Sequence, residues 1–179
     1  NVVVVDKATF PRDKCCGDGL TTLALRELEE LGVQPTATRS WLEVSDIFLR
    51  SPKGKEIQLE LPKTQGQYAA VVERRELDAE LVQVALDAGV EIRQGAAFEQ
   101  IDIEEDGARV RLQDGTIFSA RNVIAADGMW SPVRKALGCT PNGYRGDWHA
   151  FRQYFHADGE RSRKLWVWFE KDLLPGYAW

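Results

Sequence analysis

Three stretches of this chain gather residue types that do chemistry. The first is Lys14-Cys15-Cys16-Gly17-Asp18-Gly19, with two thiols, a carboxylate and two backbones bare of side chains. Glycines at that spacing let a ring or a phosphate approach the main chain closely. A thiol there can shape a pocket or relay a proton, although a small packing residue is the commoner role of cysteine. The second is Asp6, which closes the apolar run Val2-Val3-Val4-Val5. The third is Asp127-Gly128, which closes Asn122-Val123-Ile124-Ala125-Ala126. Four β-branched residues followed by a carboxylate read as a fully buried strand emerging at the carboxyl edge of a parallel sheet. Dinucleotides bind at such edges, where an acid at the strand end accepts hydrogen bonds from a ribose. Asp-Gly is equally an ordinary strand-ending turn, so Asp127-Gly128 carries both readings on its own. Arg74, four residues before Asp78, adds a guanidinium at a helix start, with several donors for phosphate or sugar-alcohol oxygens. The plainer reading is a solvated charge, and it is the one adopted for Arg75. His149 and His156 have no cysteine or carboxylate partners at ligand spacing, so no metal site is expected. A disulfide between the adjacent Cys15 and Cys16 would be strained and is discounted.

The elements that must position these groups alternate between two grammars. Leu20, Leu23, Ala24, Leu28 and Leu31 recur at helical spacing, with Thr21 or Thr22 to cap and Gly32 to terminate. A second helix starts at Arg75, with Leu77, Leu81, Ala85 and Ala88 on one face and Gly89 at its end; Val90-Glu91-Ile92 follows as a short strand. Ser131 to Leu137 reads as a short helix closed by Gly138. Between these lie Trp41–Val44, Ile47–Leu49 and Ile57–Leu61, read as strands around the turn Ser51-Pro52-Lys53-Gly54. Asp106-Gly107 and Asp114-Gly115 punctuate three alternating runs and predict a three-stranded antiparallel meander. The expected fold class is α/β, α+β overall: a Rossmann-like domain interleaved with a mainly antiparallel β domain.

Composition narrows the function classes. Of 179 residues, 28 are acidic and 23 basic, with no run of like charge, so a nucleic-acid footprint is not expected. No apolar segment approaches the ~20 residues that span a bilayer; peripheral membrane contact stays open. Three cysteines do not make a disulfide framework, which favours a reducing, cytoplasmic compartment. Opening on Asn1 inside a strand and stopping at Trp179 in an aromatic stretch, the chain reads as an internal fragment. Ten of its 17 aromatic residues fall in the last 40 positions, so that region must face core or an apolar ligand.

Ala-Thr-Phe-Pro-Arg-Asp-Lys-x-Cys-Gly-Asp-Gly-Leu-Thr, residues 8–21, resembles the flavin loop of the geranylgeranyl reductase family of FAD-dependent enzymes. Residues 123–138 resemble the Ala-Asp-Gly-x-x-Ser-x-Val-Arg-x-x-Leu-Gly pattern of the para-hydroxybenzoate-hydroxylase-like flavoproteins. Arg74 to Leu81 resembles the family's Arg-x-x-(Phe/Leu)-Asp-x-x-Leu, and Tyr177-Ala178-Trp179 resembles the start of its Tyr-x-Trp-x-Phe-Pro signature. The resemblance implies FAD as cofactor, held by Asp6, Lys7, Arg12, Cys16, Gly17, Asp18, Gly19, Arg74, Asp127 and Gly128. It implies a prenyl pocket lined by Tyr177 and Trp179, and leaves Cys16 as the one catalytic candidate in the chain. The family's first strand and Gly-x-Gly-x-x-Gly turn are expected before Asn1. On this reading residues 1–34 and 71–139 form the FAD-binding domain, and 35–70 with 140–179 the substrate-binding domain.

The implied activity is reduction of carbon–carbon double bonds in a geranylgeranyl or polyprenyl chain, on a lipid, a diphosphate or the side chain of menaquinone. NAD(P)H or ferredoxin would supply the electrons. The alternative on the same fold is an FAD-dependent monooxygenase or halogenase, from which the Cys-Gly-Asp-Gly and Pro-Gly-Tyr-x-Trp motifs argue away. A third reading is a non-catalytic module that binds lipid or a partner through its aromatic sheet.

Overall fold

A computed structural model of the chain describes residues 1–62, 66–141 and 143–179. In chain order the elements are β1 (Val3–Asp6), β2 (Gly19–Leu20), α1 (Thr22–Glu30), β3 (Leu42–Glu43), β4 (Asp46–Arg50), β5 (Glu56–Glu60), β6 (Ala70–Val71) and α2 (Arg74–Asp87). They continue with β7 (Glu91–Gln94), β8 (Phe98–Glu104), β9 (Gly107–Leu112), β10 (Ile117–Ala120), α3 (Pro132–Ala136) and β11 (Leu165–Trp168). Two compact units share the chain: Asn1–Arg12 with Ala85–Phe151, and Asp13–Val84 with Arg152–Trp179. These boundaries follow contacts and differ from the division by function expected above, which stays a proposal.

In the first unit β1 pairs with β7 in parallel, Val3 opposite Glu91 and Asp6 opposite Gln94. Asp6 thus stands at the carboxyl end of a parallel strand, as the valine run requires. β1 is nevertheless not fully buried. Among the described strands it has one neighbour, and Val3 and Val4 keep 38% and 41% of their surface exposed. The run Asn122–Ala126 departs further from expectation. No ladder forms there, and Ile124 is 91% exposed. An apolar run is a buried strand only where another strand supplies its hydrogen bonds, and none of the described strands reaches this one.

The meander forms as predicted, in the order β10-β9-β8. Its two Asp-Gly pairs need glycine for different reasons. Gly115 has φ +84°, a left-handed turn. Gly107 has no such φ; instead a Cβ there would overlap the carbonyl oxygen of Ala120 on the neighbouring strand. Gly107→Ala is therefore expected to cost about 1–3 kcal/mol through backbone displacement, read in urea unfolding of the intact protein. Gly115→Ala would owe its cost to strain at positive φ instead.

The core of the second unit is Leu28, Val33, Val72 and Leu77, with Leu20, Trp41, Leu81 and Val84 packed against it. Leu77, Leu81 and Val84 share a face of α2 at positions i, i+4 and i+7, which is why that helix presents an apolar stripe here. Thr21 caps α1 by accepting the Ala24 N–H, and Gly32 ends the helix at φ +78°. A short sheet orders β2-β6-β3, and a second orders β11-β4-β5. β4 and β5 are antiparallel, as expected, but β11 joins β4 in parallel, with Trp166 opposite Phe48. A connection from residue 50 to residue 165 is long enough for a crossover, so the antiparallel rule for hairpins does not bind it.

Candidate functional site

Each unit carries part of the expected constellation. In the first, the Asp6 carboxylate accepts the Ala8 N–H at 2.8 Å, and Arg12 stands 3.7 Å from its other oxygen. The Arg12 guanidinium lies 4.7 Å from the Phe10 ring centroid, and Lys7 is exposed. Phe10 N–H donates to the Gln94 side chain at 2.7 Å, which anchors the start of the loop on the strand beside β1.

Asp127 and Gly128 line a cavity of about 300 Å³ together with Ser131, Val133 and Arg134. Asp127 serves as a cap here, because its Oδ2 accepts the Val133 N–H at 3.0 Å in the first turn of α3. Ser131 Oγ takes the Arg134 N–H at 2.9 Å beside it. Burial works against ionisation of Asp127. The Ser131 hydroxyl, the Val133 N–H and the charge of Arg134 outweigh it and hold the carboxyl below the usual carboxylate range. Gly128 has φ +83°, so the chain turns there in a way that favours glycine.

In the second unit, Cys16, Gly17, Asp18, Gly19, Arg74 and Trp179 come together around one loop. Asp18 is 7% exposed. Its Oδ1 accepts the Arg74 N–H at 3.2 Å and Arg152 Nη1 at 2.8 Å, and its Oδ2 accepts the Tyr154 hydroxyl at 3.0 Å. The carboxylate thereby caps α2 from outside the helix, where the helix dipole favours negative charge. Arg74 donates from Nε and Nη2 to the two oxygens of Asp78, at 2.8 and 3.0 Å. Burial alone would depress the Arg74 guanidinium; the bonds to Asp78 and the proximity of Cys16 reverse this and raise it. The Arg74 guanidinium, read as a holder of cofactor oxygens, also forms a bidentate pair with Asp78 one helical turn on.

Trp179 lies on the loop itself. A Cβ at Gly17 would come within 3.1 Å of its indole, and one at Gly19 within 3.3 Å. The space that these glycines leave open is taken by tryptophan. Tyr177 goes elsewhere, to the Phe169 ring at 5.9 Å between centroids. Cys15, Cys16 and Cys139 are free and exposed.

Two residues in this cluster escaped the sequence reading, Arg152 and Tyr154. Arg152 Nη2 donates to both oxygens of Asp13, and its guanidinium lies 4.6 Å above the Tyr154 ring. Their only signal was an arginine and a tyrosine two apart in the aromatic-rich end of the chain. Burial of its hydroxyl end, then the bond to Asp18 and the negative charge of that carboxylate, push the Tyr154 phenol up to about 12. A phenol raised in this way contributes stability that is complete below pH ~10, the ordinary tyrosine value, and is lost as the pH climbs through about 12. In a titration followed at 295 nm, the wild type minus Tyr154→Phe difference is expected to show one phenol ionising about two units later than ordinary tyrosines; a difference centred near pH 10 would contradict this geometry.

The family model for the FAD binding domain matches residues 1–174. The chain is 34% identical over its whole length to a menaquinone reductase of Mycobacterium tuberculosis, of which it covers 45%. It is 28% identical, over 99% of its length, to digeranylgeranylglycerophospholipid reductase 1 of Methanopyrus kandleri, covering 47% of that protein. The chain thus spans about half the length of these relatives. Among solved structures it is similar to pqsL, a probable FAD-dependent monooxygenase from Pseudomonas aeruginosa, with a TM-score of 0.63 and 26% identity over 78% of this chain and 39% of that one. The fold is that of the para-hydroxybenzoate-hydroxylase-like flavoproteins.

Proposed function

The chain belongs to the FAD binding domain family, and from that membership we propose that the protein carrying it is an FAD-dependent reductase of carbon–carbon double bonds in a prenyl chain. The observation that carries this reading is the 34% identity, across the entire chain, to a menaquinone reductase. The similarity to a digeranylgeranylglycerophospholipid reductase supports the same substrate class. A geranylgeranyl lipid, geranylgeranyl diphosphate or the side chain of menaquinone is the substrate proposed.

The residues present fit FAD. Asp6 spends one acceptor position on Ala8 and keeps others for a ribose diol. The cavity beside Asp127 offers the Gly128 backbone, the Ser131 hydroxyl and those donors of the Arg134 guanidinium that Thr140 and Met129 do not take to ribityl and phosphate oxygens. FAD, once bound and reduced, supplies the hydride. An isolated alkene has no carbonyl to polarise, so the chain's own side chains contribute orientation and a dry apolar surface. Tyr177 and Trp179, both well exposed, present such surface. Cys16, exposed and beside Arg74, is the candidate to hold a proton for the second alkene carbon. Asp6, Lys7, Arg12, Asp127 and Gly128 are proposed to bind the cofactor directly. Gly17, Asp18, Gly19 and Arg74 are proposed to do so through the loop they shape.

NAD(P)H or ferredoxin is proposed as electron donor. A prenyl substrate residing in a membrane implies peripheral membrane contact on the cytoplasmic side. Among the described residues no helix is long and apolar enough to cross a membrane. A second reading, an FAD-dependent monooxygenase or halogenase, is favoured by the likeness to pqsL.

One experiment separates the two. The intact protein is reduced without oxygen, and a geranylgeranyl lipid is added while flavin absorbance is followed. Reoxidation matched by loss of a double bond in the mass spectrum is the expected result. Reoxidation that waits for oxygen would transfer the assignment to the monooxygenase.

A further inference from the structure

We propose that Arg152 is a positioning residue that fixes the conformation of the loop 13–19, and through it the presentation of Cys16 and of the Gly17 and Gly19 backbone. The proposal rests on the reading above that this loop faces the flavin.

Among the described residues, few main-chain bonds hold the loop before Gly19, which pairs with Val71 in the β2–β6 ladder. Cys16 N–H reaches the Lys14 carbonyl at 2.8 Å, and the Asp18 carbonyl accepts from Val72 at 2.9 Å. What spans it is the guanidinium of a residue more than 130 positions away. Arg152 Nη1 donates to the Cys16 carbonyl at 3.3 Å and to Asp18 Oδ1 at 2.8 Å, while Nη2 takes both oxygens of Asp13. One planar fork therefore ties the loop's entry, its middle and its exit. Lysine, with a single ammonium and no fixed fork, does not reproduce that pattern. Tyr154 completes it, with its ring under the guanidinium and its hydroxyl on the second oxygen of Asp18.

Arginine in a flavoprotein invites a different role, as a ligand for phosphate. Its partners argue against it here. Arg152 faces two carboxylates, Asp13 and Asp18, and the neighbouring Arg74 is neutralised by Asp78. Three carboxylates, Asp13, Asp18 and Asp78, are paired with the two guanidiniums Arg152 and Arg74, and the loop's own Lys14 brings the set to balance. A phosphate would have to displace these partners, because the strongest donors of the fork are already spent on acceptors within the chain. The hydrogen bond to Asp13, followed by the charge of Asp18, raises the Arg152 guanidinium despite its burial, so the fork stays charged at any working pH.

Hydrogen exchange of the intact, FAD-loaded protein tests this. In Arg152→Met, amides of residues 14–19 are expected to exchange at least tenfold faster, with Arg152→Lys intermediate and the β8–β9 hairpin unchanged. FAD should dissociate roughly tenfold faster in Arg152→Met. Should Arg152→Met fail to fold, Asp13→Asn, which touches only the exposed end of the network, is expected to raise exchange in the same residues by a smaller factor. Unchanged exchange in the loop, or an equal rise in the hairpin, overturns the proposal. Faster loop exchange with unaltered FAD release would uphold Arg152 as the loop's holder and count instead against a flavin-facing loop, so the two ideas fail separately.

Discussion

Asp18→Ala is expected to destabilise the intact protein by about 2–4 kcal/mol, lowering its melting temperature by roughly 5–15 °C. The estimate follows from what the carboxylate holds. Its removal leaves the first N–H of α2 without an acceptor, strips Arg152 of one of its two carboxylates, and strands the Tyr154 hydroxyl. A lost helix cap costs about 0.5–2 kcal/mol and a buried polar group left unpaired about 1–3 kcal/mol, while the half-exposed Tyr154 can turn its hydroxyl to water and adds little. Arg152 keeps Asp13, so the full penalty of an orphaned buried charge does not apply. Asp18→Asn, which retains an acceptor of the same shape, should cost less than half as much. Thermal melts of the two variants give the comparison. Near-identical melting of Asp18→Ala and wild type would show that the network carries little of the fold.

A still larger effect is expected at Val72. Its side chain is 0% exposed and touches the cluster of Leu28, Val33 and Leu77, while its N–H is bonded to the Asp18 carbonyl. Val72→Asp places a carboxylate among aliphatic groups with no cation in that cluster, at a cost above about 4 kcal/mol. That is enough to unfold the second unit. The expected outcome is loss of soluble protein, or of cooperative unfolding followed by circular dichroism. Val72→Thr keeps the shape but exchanges one methyl for a hydroxyl, and should cost about 1–2 kcal/mol. A stable Val72→Asp protein would mean that this cluster is not the core of its unit.

The helices and the meander were legible because their causes are local. Thr21, Leu28 and Gly32 spell a cap, a face and a stop within a dozen residues, and α1 occupies that span, although its buried face runs through Leu25 and leaves Leu23 and Leu31 exposed. The two Asp-Gly pairs mark the meander in the same way, although the reason for Gly107 lay in a strand thirteen residues on. Asn122–Ala126 was misread because composition states that a run is apolar, not that a neighbouring strand exists to pair with it. The parallel joining of β11 to β4 was missed for a related reason, since pairing direction depends on the path between strands and not on the strands themselves. In the loop cluster, motif resemblance singled out Asp18, Arg74 and Trp179, but not that they serve one another's neighbours. Arg74 turned out to be paired with Asp78, and the open sides of Gly17 and Gly19 to be filled by Trp179. Arg152 and Tyr154 left no periodic trace, because contacts between residues 18 and 152 obey no spacing rule.

The pairing of β11 with β4 also sets an order of events while the chain is being made. β8, β9 and β10 exchange hydrogen bonds with partners a few residues away, so the meander can form within microseconds of leaving the ribosome. β4 and β5 can likewise close as a hairpin, but Ile47 to Arg50 then wait with one edge unpaired until residues 165–168 have been synthesised. At roughly 5–20 residues per second that interval lasts about 5–20 s, during which the edge is open to a second copy emerging from the same message. A ribosome stalled between residues 60 and 165 would therefore hold its nascent chain with that edge still open.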